Sequence, residues 1–370
     1  MNIKKMESLI IGNIKAKLPI IQGGMGIGIS LSGLAASVAN QGGIGVIATA
    51  GIGMSEPDYY KDFKGANIRA LKDHIHKARQ MSKGIIGVNI MVALTDFADM
   101  VKTAVQEKAD IIFSGAGLPL DLPKFLDGSQ KTKLVPIVSS GKAARLIAQR
   151  WIKKYDYTPD AIVVEGPKAG GHLGFKPEQL DDPQYSLHNL VRDVIENIAP
   201  IEQEKGRKIP VIAAGGIYTG QDIYEMMKLG ASGVQMATRF VTTTECDAAD
   251  EFKQCYIKAE SKDIDIIKSP VGLPGRAIMN DFIKSFNAGK KKPVKCPYHC
   301  IKTCDYTKSP YCIAMALSNA KNGRMGNGFA FAGQNAYKAD AIVSVKKLVE
   351  DLKKEYRTFV KSVVHPQIVR

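Results

Sequence analysis

The residue best suited to acid–base chemistry is His172, in the segment EGPKAGGHLG at 165–174. An imidazole on a glycine-rich loop can titrate near neutral pH and reach a proton of a substrate. Most lone histidines are structural, but those of a hydrophobic core more often have apolar neighbours in sequence. We therefore interpret His172 as the catalytic residue. Lys168, in the same loop, is expected to lower the pKa of His172 by repulsion if its side chain points inward.

Two further loops have the residue types of a phosphate-binding site. They are AAGGIYTG at 213–220 and QMATRF at 235–240. Gly215 and Gly216 have no Cβ, so their backbone N–H groups can approach a phosphate closely. The backbone of Ala237 and Thr238, with the Thr238 hydroxyl, supplies further donors. The alternative is that these glycines only allow tight turns; the two loops together predict a site for a phosphomonoester.

The segment QGGMGIGIS at 22–30 is suited to a flat ring. A run of glycines lets the backbone lie against such a ring, and Met25 can cover one of its faces. Asn89, at the end of GVNIMV, can offer its amide to the ring edge. Turn glycines and a helix-capping asparagine are the simpler alternatives. The joint placement favours a planar cofactor that carries a phosphate.

Four of the six cysteines lie in CPYHCIKTCDYTKSPYC at 296–312. Cys296, Cys300 and Cys304 follow one another at intervals of four, so a helix would place them on one face, and Cys312 lies eight residues further on. Four thiolates suit an iron–sulfur cluster or zinc, although the spacing matches none of the common templates. Metal binding, structural thiols and a redox-sensitive disulfide all stay open.

The elements that must position these residues are eight short apolar segments before residue 241, each followed by a helix-like amphipathic stretch. Strands that are apolar throughout, such as AIVVEG, are typical of a parallel sheet covered on both faces. Eightfold alternation predicts an α/β protein with a (β/α)8 TIM barrel, in which ligands bind at the carboxyl ends of the strands. The predicted strands are Leu18–Gly23, Ile44–Thr49, Ile85–Val92, Ala109–Gly115, Leu134–Ser140, Ala161–Gly166, Pro210–Gly216 and Gly233–Phe240.

The pattern changes after Phe240. We predict that residues 1–244 and 336–360 form the barrel and that 245–335, with the cysteines, form an inserted lid or subdomain. A helix is predicted from Asp340 to about Tyr356 that packs back on the barrel. Its expected buried residues are Ile342, Val343, Val345, Leu348, Val349 and Leu352.

Composition narrows the class of protein. The chain has 45% hydrophobic residues and a formal net charge of +15. No apolar run approaches the roughly 18 residues of a membrane span, and the N-terminus does not read as a signal peptide, so we expect a cytoplasmic protein. The basic residues are spread out and lack interleaved aromatics, which favours a solvated surface over nucleic-acid binding. We expect a small-molecule substrate and no membrane or nucleic-acid partner; a homodimer is left open.

Seven segments, taken together and in order up to about residue 340, resemble the nitronate monooxygenase family, formerly 2-nitropropane dioxygenase, which includes FMN-dependent enoyl-ACP reductases. They are QGGMG (22–26), GVNIM (87–91), SGAG (114–117), EGPKAGGHLG (165–174), VIAAGGI (211–217), GVQMATRF (233–240) and FAGQ (331–334). The resemblance implies non-covalent FMN, with His172 matching the family's active-site histidine. The implied phosphate contacts are Gly215, Gly216, Ala237 and Thr238. The implied ring and ribityl contacts are Gly23, Gly24, Met25, Asn89, Glu165, Gly171 and Gln235, with Gly333 and Gln334 of the returning loop as further candidates.

The resemblance implies two reactions for one site. The first is oxidation of an alkyl nitronate with oxygen, with His172 binding or deprotonating the nitro compound. The second is reduction of an enoyl thioester or a quinone with NAD(P)H. The G-x-G-x-x-A pattern of GGIGVIA at 42–48 precedes its strand, unlike a dinucleotide-binding loop, so nicotinamide would bind only transiently over the flavin. A non-catalytic flavin- or nucleotide-binding module and a basic RNA-binding protein are the alternatives outside these classes.

Overall fold

Eight parallel strands close into a barrel, as predicted. The computed structural model describes residues 6–126, 128, 131–291, 295–296 and 299–364. Each barrel strand pairs with its neighbour along the chain, and the last closes on the first through Val234 beside Ile20. The barrel strands are β3 (Ile20–Gln22), β4 (Ile44–Ala48), β5 (Ile85–Met91), β6 (Ile111–Gly115), β7 (Lys133–Val138), β8 (Ile162–Glu165), β10 (Val211–Ala214) and β11 (Gly233–Met236).

A hairpin that the sequence did not predict precedes the barrel. Strands β1 (Leu9–Ile11) and β2 (Ile14–Ala16) pair in antiparallel fashion. Leu9, Ile11 and Ala16 are buried in the same cluster as the inward-facing barrel residues, Phe113 among them. The hairpin therefore closes the barrel with apolar side chains at the end opposite the carboxyl ends of the strands.

Helices surround the barrel and carry the second, larger part of the core. Asp62, Ser140 and Thr219 cap three of them through their side chains. The helices up to the eighth strand are α1 (Ser32–Asn40), α2 (Phe63–Met81), α3 (Phe97–Gln106), α4 (Gly141–Tyr155), α5 (Leu187–Lys205) and α6 (Gly220–Lys228).

Two of the eight expected helices differ from the prediction. In the described part of the connection after β6 there is only a 3-10 turn at Leu122–Phe125. After β11 the helix α7 (Thr238–Val241) is a single turn. The outer helix that β11 lacks is supplied by α11 (Val345–Val364) from the end of the chain, which packs on α6.

The C-terminal helix confirms the predicted packing and corrects its limits. It begins at Val345, not Asp340, and continues past Tyr356 to Val364. Ile342 and Val343 precede it, because Val343 pairs in a β-bridge with Thr243 instead. The other four expected residues are buried in the helix: Val345, Leu348, Val349 and Leu352.

The insertion contains a small sheet that reaches back to the barrel. Strands β12 (Ile264–Lys268) and β13 (Pro274–Ile278) are antiparallel, and β13 also pairs with β9 (Gly171–His172), which lies in the loop after β8. The helices of the insertion are α8 (Asp250–Ile257), α9 (Asp281–Asn287) and α10 (Ile313–Lys321). The domain limits at 244 and 336 stay a prediction. No helix among the described residues is long and apolar enough to cross a membrane.

The helix considered for the cysteine segment is wrong. Cys296, Cys300 and Cys304 all lie outside the helices, in a stretch whose described residues form turns and one bridge, between Ile301 and Leu94. The alignment of three thiols on a helix face is therefore not the basis of any site there.

Candidate active site

His172 is held between the barrel and the insertion. It pairs in β9 with Gly275 of β13, and its Nε2 shares a hydrogen bond of 2.7 Å with Oγ of Ser269. The edge of the ring packs against Phe331 with 5.0 Å between centroids. Burial lowers the pKa of His172 from 6.5 to about 4. The imidazole is therefore neutral at neutral pH and can accept a proton.

Lys168 does not act on His172 in the way that the sequence suggested. Its side chain is exposed, and burial is the cause of the lowered pKa of His172. Lys168 instead connects the loop after β8 to the loop that returns from the insertion. Its carbonyl oxygen accepts a hydrogen bond of 3.1 Å from the backbone N–H of Gln334. The Lys168 side chain does not point inward, and the expected effect on the pKa of His172 required that it should.

The ring-binding residues predicted from three separate segments lie together. The backbone N–H of Gly23 donates to the carbonyl oxygen of Met236 over 2.8 Å, which fixes the loop after β3 beside the end of β11. A Cβ on Gly24 would lie 2.3 Å from Cβ of Asn89, and one on Gly23 would lie 3.3 Å from Cγ of Gln235. Only glycine permits this approach.

Met25 follows these glycines and is partly buried. Its backbone N–H donates to Oγ of Ser30 over 2.8 Å, and its carbonyl oxygen accepts from the backbone N–H of Ser30 over 3.1 Å. The loop after β3 is thus closed on itself by local hydrogen bonds. This closure fixes the position from which the Met25 side chain can cover a ring.

Glu165 is the last residue of β8 and stands beside Ala214 of β10. Burial raises the pKa of its carboxyl from 4.5 to about 7. Gly171, next to His172, has a φ of +79° and nothing within 4 Å of where a Cβ would stand. The site therefore has a second group that can hold a proton near neutral pH, and open space beside the imidazole.

The loops after β10 and β11 converge where the phosphate was predicted, and a third loop from the insertion joins them. Ala214 and Gln235 are partners in neighbouring strands, so the loops after β10 and β11 lie side by side. Gly215 and Gly216 have φ values of +94° and +86°, which side chains other than glycine rarely adopt. These loops, with Ala237 and Thr238, fit the phosphate of a cofactor.

The returning loop from the insertion completes this cradle. The backbone N–H of Gly333 donates to Oγ1 of Thr238 over 3.3 Å, and Nδ2 of Asn335 donates to the carbonyl oxygen of Gly216 over 2.6 Å. A Cβ on Gly333 would lie only 2.7 Å from Oγ1 of Thr238. Gln334 lies between Gly333 and Asn335, and its backbone N–H donates to the carbonyl oxygen of Lys168 in the loop after β8.

Four residues that hold this site escaped the sequence analysis: Ser269, Arg276, Phe331 and Asn335. Arg276 is buried and donates through Nη1 to the carbonyl oxygens of Pro167 and of Ala169, the latter over 3.0 Å. It thereby fixes the loop that carries His172 to β13. Phe331 begins the FAGQ segment, but no local signal gives any of the four its role, because their partners lie far away in the sequence.

The four clustered cysteines lie around one small pocket, with His299 and Tyr311 beside them. All four are free thiols. Burial and the neighbouring thiols raise the pKa of Cys300 to about 12. Within the described ranges, no group of three or more His, Cys, Asp or Glu residues could hold a single metal ion.

The chain is a (β/α)8 barrel in which His172 and the glycine loops lie at the carboxyl ends of the strands. The family model for nitronate monooxygenase matches residues 7–355. The chain belongs to the nitronate monooxygenase family.

Curated relatives are similar to most of the chain. A "(3aS,4S,5R,7aS)-5-hydroxy-7a-methyl-1-oxo-octahydro-1H-indene-4-carboxyl-CoA dehydrogenase" of Mycobacterium tuberculosis is 26% identical over 74% of the chain and 66% of the relative. The match to its counterpart in Rhodococcus jostii spans 64% of that protein, so the chain covers just under two thirds of these two relatives. A "Probable nitronate monooxygenase" of Staphylococcus aureus is 28% identical over 74% of the chain and 79% of the relative.

Solved structures show the same fold. FabK from Thermotoga maritima superposes with a TM-score of 0.73 at 28% identity, over 94% of this chain and 96% of that one. A nitroalkane oxidase from Streptomyces ansochromogenes gives a TM-score of 0.71 at 22% identity, over 94% of this chain and 98% of that one. The second likeness concerns the fold alone.

Proposed function

We propose that the protein is an FMN-dependent enzyme that oxidises alkyl nitronates with oxygen, using His172 as its acid–base residue. One observation carries the proposal: a neutral imidazole is fixed beside glycine-lined strand ends that have the shape of a cradle for a phosphate and a ring. When bound, FMN supplies the redox chemistry, taking electrons from the substrate and passing them to oxygen.

The binding residues divide between two ends of the cofactor. The phosphate would lie on the loops of Gly215, Gly216, Ala237 and Thr238, where backbone donors and positive φ values suit an anion. The ring and ribityl chain would lie along Gly23, Gly24, Met25, Asn89, Glu165, Gly171 and Gln235, with Gly333 and Gln334 closing the site from the insertion.

The protein's own part in the reaction is to move a proton and to hold the substrate. His172 can accept a proton from the carbon beside a nitro group, or donate a hydrogen bond to a nitronate oxygen, because its ring is neutral and one nitrogen is fixed by Ser269. Phe331 packs on the ring and excludes water from that side.

A second candidate is the reduction of an enoyl thioester, or of a quinone, with NAD(P)H at the same site. Two observations favour a thioester. The Mycobacterium tuberculosis relative is named for a coenzyme A thioester. The net charge of +15 would attract an acidic carrier protein.

Anaerobic mixing of the FMN-loaded protein with NADH, NADPH and propionate-3-nitronate, one at a time, separates the two reactions. We expect rapid loss of oxidised-flavin absorbance with the nitronate, and the same experiment with His172→Ala should be slow, whereas His188→Ala, on an exposed histidine, should match the native protein. Rapid bleaching by NAD(P)H alone would replace the first candidate by the second. Failure to bind FMN would overturn both candidates, and full activity of His172→Ala would overturn the catalytic role of His172.

A further inference from the structure

The cysteine pocket, formed by Cys296, Cys300, Cys304 and Cys312, is a built site that the proposed reaction does not use. The described residues of its segment form turns and one bridge, yet all four thiols lie around one pocket with Tyr311 and Ile313. The grouping of four partly buried thiols around one pocket is not explained by packing alone, because smaller or aliphatic side chains would fill it equally well.

Backbone hydrogen bonds fasten the pocket to the catalytic end of the barrel. The backbone N–H of Thr95 donates to the carbonyl oxygen of Cys300 over 3.1 Å, and that of Lys302 donates to Ala93 over 2.9 Å. Both partners belong to the loop that follows β5 and Asn89. At the other end of the segment, Oγ of Ser309 contacts the carbonyl oxygen of Pro270, beside Ser269. The pocket is therefore held near the active site.

A chain of aromatic contacts joins the pocket to His172. Tyr311 lines the pocket, and its ring centroid is 6.2 Å from that of Phe329. Phe329 lies 5.1 Å from Phe331, which in turn lies 5.0 Å from His172. Three successive ring contacts therefore join the wall of the pocket to the imidazole.

Four thiols can form disulfides, bind a single metal ion or bind an iron–sulfur cluster, and the observations favour the cluster. Disulfides would pair the thiols two by two, whereas Cys300 lies within electrostatic reach of each of the other three. A single ion would need three or four ligands converging on one point, and the described residues offer no such group. A [4Fe–4S] cluster takes one cysteine for each iron and so accepts four thiols that surround a larger centre. We infer that Cys296, Cys300, Cys304 and Cys312 bind a [4Fe–4S] cluster.

Anaerobic reconstitution with ferric iron, sulfide and a thiol, which reduces half of the iron, tests the assignment. We expect about four iron atoms and four sulfides per chain, brown absorbance, and a paramagnetic signal after reduction with dithionite. Cys300→Ser and Cys312→Ala should each lose most of the iron and sulfide. Cys255→Ser is the matched control, because that partly buried thiol lies in α8 outside the pocket, and it should load like the native protein.

A second measurement keeps the test independent of flavin and of activity. Lys290, Lys291, Lys302 and Lys308 are exposed around the pocket, so trypsin should cut there more slowly once a cluster holds the segment. FMN content, measured on the same samples, reports separately on the proposed function. Iron and sulfide in the native protein no higher than in Cys300→Ser, or stable binding of one zinc per chain, would overturn the cluster.

Discussion

His172 owes its chemical character to residues from two parts of the chain. Its ring is buried against Phe331 and bonded to Ser269, and both partners come from beyond the eighth strand. Water is replaced by an aromatic edge and one hydroxyl, which disfavours the imidazolium form. An imidazole of ordinary pKa would be largely protonated below pH 6.5; this one stays a base.

The pH dependence of the reaction should reveal this shift. Because burial lowers the pKa of His172 to about 4, the neutral form persists as the pH falls through 6.5 and is lost only near 4. Glu165, with a pKa of about 7, also titrates in this range, so the test uses Glu165→Gln and a substrate that does not titrate there. In that variant we expect kcat/KM to stay level from about pH 8 to pH 5. His172→Ala should lower kcat/KM about 10²- to 10⁴-fold and remove the acid limb.

An acid limb near 6.5 that persists in Glu165→Gln would contradict this prediction. Circular dichroism at each pH separates titration of His172 from acid unfolding, because a loss of fold would remove the helical signal along with the activity.

Ser269 should act as a positioning residue. Its Oγ is the hydrogen-bonding partner of Nε2 of His172, so Ser269→Ala frees the ring to rotate away from the substrate. We expect kcat to fall about tenfold, equivalent to about 1.4 kcal/mol, with KM and FMN affinity little changed. Ser269→Thr, which keeps the hydroxyl, should restore part of kcat.

Ser285→Ala is the control for this variant, since that serine only bonds to Phe282 within α9. If Ser269→Ala and Ser285→Ala gave the same kcat, the hydroxyl would have no part in orienting the imidazole.

At the scale of elements, the strands could be predicted because each is a continuous apolar run between turn residues. The glycine loops could be placed as well, since every loop at the carboxyl ends of a parallel barrel lies on one face. The connection after β6 misled the prediction: an expected helix is replaced by a 3-10 turn at Leu122–Phe125 in its described part. The local sequence pattern does not show which amphipathic stretches have a surface to pack against in the folded protein, and a helix without such a surface is not stable.

The insertion could not be predicted in the same way. Strand β9 has two residues and exists only because β13 pairs with it, and Ser269 meets His172 across 97 positions of sequence. Such contacts depend on how a long connection folds back over the barrel. The cysteines were found by composition, but their grouping comes from turns and not from the helix considered for them.

A substitution at Gly24 tests the close contact between the loop after β3 and Asn89 of β5. A Cβ there would lie 2.3 Å from Cβ of Asn89, so Gly24→Ala must move one strand end away from the other. Overpacking of this kind costs about 1–3 kcal/mol, and we expect it to appear as FMN affinity about 5- to 100-fold weaker in a fluorescence titration. Gly326→Ala should bind FMN normally, because nothing lies within 4 Å of a Cβ at that position.

Equal FMN affinities for Gly24→Ala and Gly326→Ala would show that the loop after β3 does not border the cofactor. The His172 assignment would stand, since it depends on other contacts.

At the scale of the whole molecule, the end of the chain completes the barrel beside the phosphate cradle. Nη1 of Arg239, directly after Thr238, lies 3.0 Å from Oε1 of Glu355 in α11. The other oxygen of Glu355 accepts from the backbone N–H of Gly220, the first residue of α6, over 2.7 Å. The last helix thus connects the loops after β10 and β11, so its docking and the shape of the cradle are linked.

Leu352 tests this linkage because its side chain is wholly buried where α11 meets the barrel. Leu352→Ala should lower the free energy of unfolding by about 2–5 kcal/mol, measured by urea titration and circular dichroism. Val363→Ala, at a side chain that is 44% exposed on the same helix, should change this free energy by less than about 0.5 kcal/mol.

Saturating FMN stabilises each variant that binds it, in proportion to the logarithm of its affinity. If α11 shapes the cradle through Glu355, the gain from FMN should be smaller for Leu352→Ala than for Val363→Ala; equal gains would mean that the helix supports the barrel without shaping the cofactor site.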